Sequence, residues 1–204
     1  MQFNNLTTII EALQAWDEIR ESSTDVVNYL SQGNSFKLKR DSSTAANLHA
    51  YPGIGGDDKE LYFFIIDAAQ DIDSSEMDLF NAITICRVES NVNNGDEIPE
   101  IIARKRVENW DKNLSSWVTA QIDRSQQTQG IFKAFNIPSS YAQQNMEYTV
   151  YFGLKENPDS LSGYDADLIT KETSKASIVY YDTVRPVPPF DVFPQNSFYL
   201  LSLV

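Results

Sequence analysis

Cysteine and histidine are nearly absent from this sequence, which contains one of each, Cys86 and His49. A single cysteine excludes a disulfide within the chain and is typical of proteins from a reducing compartment. A single histidine excludes metal sites that need two, including the common zinc arrangements. Cys86 lies within a β-branched run, where its thiol is expected to be a buried small hydrophobe and not an activated nucleophile. We therefore assign no catalytic residue, no metal site and no cofactor, and the composition favours a protein that is not an enzyme.

Basic side chains are also scarce. The sequence contains 16 lysines and arginines and 29 acidic residues, which gives a formal net charge of -13. Such a chain repels the phosphate backbone of nucleic acids, so we expect no nucleic-acid partner. The one basic triplet, residues 104–106, falls in a predicted helix, where its side chains point in different directions and form no common patch.

Long apolar runs are missing as well, since no stretch approaches the roughly 20 residues that a membrane-spanning helix needs. The first residues lack the basic and apolar portions of a secretory signal. Together with the single cysteine, these absences predict a soluble cytoplasmic protein with no membrane partner.

The most strongly patterned stretch, residues 46–71, has the pattern of a strand, a glycine-rich turn and a second strand. Residues 60–67 place six consecutive apolar side chains between two acidic ones, as expected for a strand buried on both faces. Residues 47–51 alternate more loosely, and Pro52 predicts that this partner is an edge strand or ends there. Residues 53–59 supply the glycines that a hairpin loop requires. These glycines do not predict phosphate binding, because phosphate loops open a helix and this turn leads into another strand.

The remaining pattern lacks the regular alternation of a doubly wound sheet and predicts an α+β fold. We expect a mainly antiparallel or mixed sheet of about five to seven strands with helices packed on it. One domain is expected over residues 1–204, with a helical N-terminal portion at 5–32 and the sheet and long helix at 36–204. Predicted helices cover about 5–21, 24–30 and 99–122, and further predicted strands cover 36–40 (as an edge strand), 82–88, 147–154, 177–181 and 198–204. Residues 165–173 are predicted as a helix or a functional loop, because long unstructured connections are uncommon in compact domains.

Carboxylates gather around the end of the central strand, and Asp67, Asp71, Asp73 and Glu76 are candidate binding residues. Their oxygens are the ligands that Mg²⁺ and Ca²⁺ prefer, and open sheets often bind ligands at strand ends. The spacing fails the calcium-loop pattern, since the sixth position from Asp71 is not glycine and the twelfth, Ala82, is not glutamate. A solvated acidic loop is the simpler interpretation.

Two tryptophans, Trp110 and Trp117, lie one heptad apart on the apolar stripe of the predicted long helix. Such a stripe can face another helix, and tryptophan is frequent at the centres of protein interfaces, so both are candidate binding residues. Packing against the sheet of the same domain is nevertheless favoured, because the stripe runs for fewer than three heptads.

These observations predict a non-catalytic protein-interaction or assembly module. Its partner would be another protein or a second copy of the chain, bound through the acidic surface or the aromatic-rich edges. One alternative is a carboxylate-based, divalent-metal-dependent hydrolase that uses the acidic residues after the central strand. Another is a small-ligand-binding domain with an aromatic pocket lined by Tyr62, Tyr148 and Tyr151.

Overall fold

The structure, a computed structural model, describes most of the chain. The described residues are 3–40, 47–57, 59–90, 101–123, 131–138, 146–160, 162–172, 180–181, 185–187 and 198–204. Within them the helices are α1 (Leu6–Ile19), α2 (Ser23–Leu30), α3 (Glu76–Ala82) and α4 (Ile101–Asp123), and Tyr199–Leu203 forms a 3₁₀ helix. The strands are β1 (Ser35–Arg40), β2 (Leu48–Gly55), β3 (Glu60–Asp67), β4 (Thr84–Glu89), β5 (Ala134–Ile137), β6 (Met146–Glu156), β7 (Tyr164–Glu172), β8 (Tyr180–Tyr181) and β9 (Arg185–Val187).

The described strands form one antiparallel sheet in the order β8-β7-β6-β1-β4-β3-β2-β5-β9. The edge strands β8 and β9 are short, with 2 and 3 residues. The sheet is curled, since β9 at one edge contacts β7, which lies next to the opposite edge. Helices pack on this sheet, α1 on β2 and α4 on β6. The predicted α+β fold is therefore confirmed.

The β2–β3 hairpin lies in the interior of the sheet, between β5 and β4. The two strands pair along all 8 residues of each. Their connecting turn has positive φ angles at Gly56 (79°) and Lys59 (53°), and glycine adopts such angles without steric cost. Most of β3 is buried, as its apolar run predicts.

Two strands predicted at edges lie in the interior instead. β2 continues through Pro52, so the prediction that it forms an edge strand or ends there is wrong. Proline fits at this point because β5 pairs with residues 48–50 only, and Pro52 has no described strand on that side. β1 lies between β6 and β4, because distant parts of the chain supply both of its neighbours.

Three other elements differ from their predictions. Residues 165–172 of the predicted helix or functional loop belong to β7, which pairs with β6. Residues 199–203 of the predicted final strand form the 3₁₀ helix. α3 lies where a solvated acidic loop was the simpler interpretation and where residue 82 was predicted to begin a strand. Pro99 and residues 177–179, which belong to two further predicted elements, lie outside the described residues.

Apolar cores lie on both faces of the sheet. Alternate residues of β3 contribute to each, with Phe63 in the main core beside α2 and α4, and Phe64 in a second core beside α1. α1 approaches β2 closely, because a Cβ atom at Gly53 would lie 3.1 Å from the backbone of Ala12. Glycine at this position thus allows the helix to cover the face of β2 that carries His49 and Tyr51.

The thiol of Cys86 lies in the main core, where burial raises its pKa to about 12 from the usual 9.0. A raised pKa in the folded state means that the stabilisation is complete below pH 9 and is lost as the pH rises toward 12. Above pH 9 we expect the free energy of unfolding of the wild type to fall more steeply than that of Cys86→Ala, by about 1.4 kcal/mol per pH unit. Urea unfolding between about pH 8 and pH 11 measures both slopes. Equal slopes would contradict this pKa.

Candidate functional site

The four carboxylates predicted around the end of the central strand separate into two groups. Asp67 and Asp71 are buried, with 4% and 3% of their surface exposed, whereas Asp73 and Glu76 are exposed. The amides of Gln70 and Asp71 both donate to the Asp67 carbonyl, at 2.8 and 3.1 Å, in a tight turn that follows β3. Among the described residues, no group of three or more His, Cys, Asp or Glu side chains could hold a metal ion.

The Asp71 carboxylate accepts hydrogen bonds from three donors. Its Oδ2 atom accepts from His49 Nδ1 at 2.6 Å and from the Tyr51 hydroxyl, and its Oδ1 atom accepts from the Leu200 amide at 3.1 Å. His49 and Tyr51 share one face of β2 because alternate strand residues lie on the same side. Burial and the Asp71 charge hold the pKa of Tyr51 well above its usual value, so its hydroxyl keeps its proton. Three donors compensate for the burial of this carboxylate.

His49 is oriented like a general base but is not accessible as one. An aspartate on Nδ1 selects the tautomer whose Nε2 atom can accept a proton, as in hydrolytic triads. Here the ring of Phe198 stacks on the imidazole, with centroids 3.9 Å apart, and the His49 side chain is 5% exposed. The cluster of His49, Tyr51 and Asp71 is therefore a structural anchor that joins β2, the residues after β3 and the 3₁₀ helix.

Residues 72–78, which we call the acidic surface, are all exposed and follow Asp71 directly. Ile72 and Met77 lie within it, and 55% and 73% of their surfaces are exposed. Three carboxylates accompany them in this stretch, and the sequence has no lysine, arginine or histidine from residue 60 to residue 86. The acidic surface thus combines negative charge with large exposed apolar side chains.

α3 orders the second half of the acidic surface. Its N-cap, Ser75, accepts a hydrogen bond from the Asp78 amide at 3.2 Å and donates one to the Asp78 carboxylate at 2.6 Å. Glu76 and Asp78 lie in the first turn, where the helix dipole favours negative charge. Serine followed three residues later by an acidic residue is a capping pattern, and it is the sequence signal that marks this unpredicted helix.

Trp110 and Trp117 are buried in the main core, each with 2% of its surface exposed. Their ring centroids lie 6.0 Å apart, and the Trp110 ring lies 5.0 Å from that of Phe152 on β6. The Trp117 indole nitrogen donates to the Tyr164 carbonyl at 3.2 Å. The apolar stripe of α4 packs on the sheet of its own chain, and a binding role for the two tryptophans stays a prediction.

The three tyrosines of the predicted aromatic pocket are not brought together. Tyr148 belongs to the main core, and Tyr62 packs against the second core on the other side of the sheet. Tyr151 belongs to a third cluster, with Ala103 and Val107 of α4. Each ring thus packs in a different apolar cluster.

Among the described residues, the buried anchor and the acidic surface lie next to each other along the chain, at Asp71 and at residues 72–78. None of the helices that the structure describes is long and apolar enough to cross a membrane. Comparisons of the chain with models of known protein families, with curated proteins and with solved structures found no match.

Proposed function

We propose that this protein is a non-catalytic interaction module that binds a basic partner protein through the acidic surface. The observation that carries the proposal is the exposure of Ile72 and Met77 among carboxylates, in a stretch without basic residues. Contiguous exposed apolar patches with a polar rim are typical of protein interaction sites, and Ile72 and Met77 would supply the apolar part of such a patch. The nearby anchor at Asp71 supports a binding role, because it fixes the chain where the acidic surface begins.

The apolar and charged parts of the acidic surface would contribute differently to binding. Burying a large aliphatic side chain contributes about 1.5–3 kcal/mol, so Ile72 and Met77 would supply affinity. Exposed carboxylates add little energy in direct contacts, but they attract positively charged partners and exclude acidic ones. The expected partner therefore presents lysine or arginine side chains around an apolar pocket.

The other candidate functions have less support. A second copy of this chain fits the acidic surface poorly, because a net charge of -13 makes two copies repel each other. A metal-dependent hydrolase lacks a suitable cluster of ligands among the described residues. Asp71, which this alternative would use, already accepts hydrogen bonds from three protein donors.

A photo-crosslinking side chain in place of Met77 tests the proposal, and the same side chain in place of Ile102 is the control. Ile102 lies on α4, outside the acidic surface, and is 62% exposed against 73% for Met77. In a lysate of the source cells we expect a specific crosslink to a protein with a basic surface from position 77 and not from position 102.

The affinity of the purified, crosslinked partner is then measured by calorimetry for three forms of the protein. We expect the double variant Ile72→Ser with Met77→Ser to bind about 100-fold more weakly than the wild type, and Ile102→Ser to bind equally well. Added salt should weaken binding, because part of the attraction is between exposed charges. Equal crosslinking at both positions, or a double variant that binds as tightly as the wild type, would overturn the proposal.

A further inference from the structure

Residues 198–204 dock on the second core beside the Asp71 anchor. Phe198 and Leu200 are buried there, with 1% and 0% of their surfaces exposed. The Phe198 ring stacks on His49 and meets the Tyr51 ring edge-on, with centroids 6.1 Å apart and planes at 84°. The same residues that hold the Asp71 carboxylate thus hold this segment.

Two consecutive residues of the segment bind the two aspartates that flank Ile72. The Leu200 amide donates to Asp71 Oδ1 at 3.1 Å, and the Tyr199 hydroxyl donates to Asp73 Oδ1 at 2.9 Å. These partners are 129 and 126 residues apart in the chain. The start of the acidic surface is therefore positioned by a distant segment as well as by its own turn.

We propose that residues 198–204 form a latch that controls the acidic surface, an inference that rests on the proposed function. When the latch is docked, the residues on both sides of Ile72 are fixed and the side chain is presented to the partner. When the latch is released, residues 71–73 lose both contacts and must be ordered during binding, which weakens affinity. Coupling of this kind is reciprocal, so a bound partner also holds the latch more firmly.

Amide hydrogen exchange of the full chain, followed by NMR, tests the latch without a partner. The amides of Gln70 and Asp71 are hydrogen-bonded within the turn, so their exchange reports its opening. Phe198→Ala removes the ring that stacks on the anchor. We expect these two amides and that of Leu200 to exchange together about tenfold faster or more, while the amides of β3 keep their rates.

Tyr199→Phe is a milder second variant, because it removes only the hydroxyl that binds Asp73. Ser202→Ala is its matched control, since it removes a hydroxyl of the same segment that bonds instead to the Tyr199 carbonyl, at 2.6 Å. We expect exchange in the turn to rise several-fold in Tyr199→Phe and to stay unchanged in Ser202→Ala. If neither Phe198→Ala nor Tyr199→Phe changes exchange of the turn amides, the latch is overturned.

The last measurement is the affinity of the partner crosslinked at position 77. We expect Phe198→Ala to weaken binding about tenfold, although it leaves Ile72 and Met77 in place. Faster exchange with unchanged affinity would overturn the latch as a control of binding. The double variant of Ile72 and Met77 tests the proposed function separately. If that test fails, the exchange rates of the turn amides still report whether residues 198–204 hold the turn in place.

Discussion

Replacing Trp117 by alanine is expected to lower the free energy of unfolding by about 3–5 kcal/mol. The indole is 2% exposed, and its ring centroid lies 6.0 Å from that of Trp110 and 6.4 Å from that of Phe132. Its nitrogen also donates to the Tyr164 carbonyl at 3.2 Å. Alanine would leave a cavity between α4 and the sheet, which is destabilising, whereas the Tyr164 carbonyl would keep the hydrogen bonds that it accepts from the Ser160 and Ser162 hydroxyls. Urea denaturation followed by circular dichroism measures the loss.

Ser115→Ala is the matched control for this substitution. Ser115 is exposed on the same helix, and its replacement is expected to change the free energy of unfolding by less than about 0.5 kcal/mol. Trp117→Phe keeps part of the ring and should fall between the two. A Trp117→Ala protein that is as stable as the wild type but binds a partner more weakly would place the indole at an interface and contradict its burial.

Local patterning is sufficient to predict the elements whose burial is encoded in nearby residues. The apolar run at 60–67 predicts β3 within its observed bounds, because a strand covered on both faces needs no polar alternation. The stripe that contains Trp110 and Trp117 predicts α4 and the face that it buries, since residues one heptad apart lie on one side of a helix. These two elements contribute seven of the 27 buried residues of the main core.

β7 could not be predicted from its own residues. Its sequence includes Asp165, Asp167, Lys171 and Glu172, residue types that are depleted in strands. Its conformation is determined by pairing with β6, and the partners in such a pairing are not identified by the pattern of either strand. The prediction of a strand at residues 198–204 was wrong for a related reason. A short apolar run predicts burial but does not distinguish a strand from a helix.

The sequence also could not predict that the acidic residues divide into a buried anchor and an exposed surface. Asp71 is buried through contacts with His49, 22 residues away in the chain, and Leu200, 129 residues away. No spacing rule relates positions so far apart. The exposed half has a local signal in Ser75 and Asp78, which form the cap of α3.

Replacing Asp71 by alanine is expected to lower the free energy of unfolding by about 3–5 kcal/mol. The substitution removes the acceptor of three buried donors: the His49 ring nitrogen, the Tyr51 hydroxyl and the Leu200 amide. Each donor that stays buried without an acceptor is destabilising by about 1–3 kcal/mol, and partial rearrangement of the imidazole keeps the total below the sum. Asp73→Ala, two residues along, is the matched control, because it removes one exposed bond and should lower stability by less than about 1 kcal/mol. Equal losses in the two variants would contradict the anchor.

A double-mutant cycle with Tyr51→Phe separates the anchor from a general effect of losing a buried aspartate. Tyr51→Phe removes only the hydroxyl that donates to Asp71, and the ring keeps its place in the second core. If the hydroxyl and the carboxylate interact directly, the loss in the double variant is smaller than the sum of the single losses by about 1–3 kcal/mol. The difference arises because, once Asp71 is alanine, the hydroxyl has already lost its acceptor and its removal relieves an unpaired donor. Losses that add would show that the two side chains contribute independently, and the anchor would then consist of His49, Asp71 and Leu200 alone.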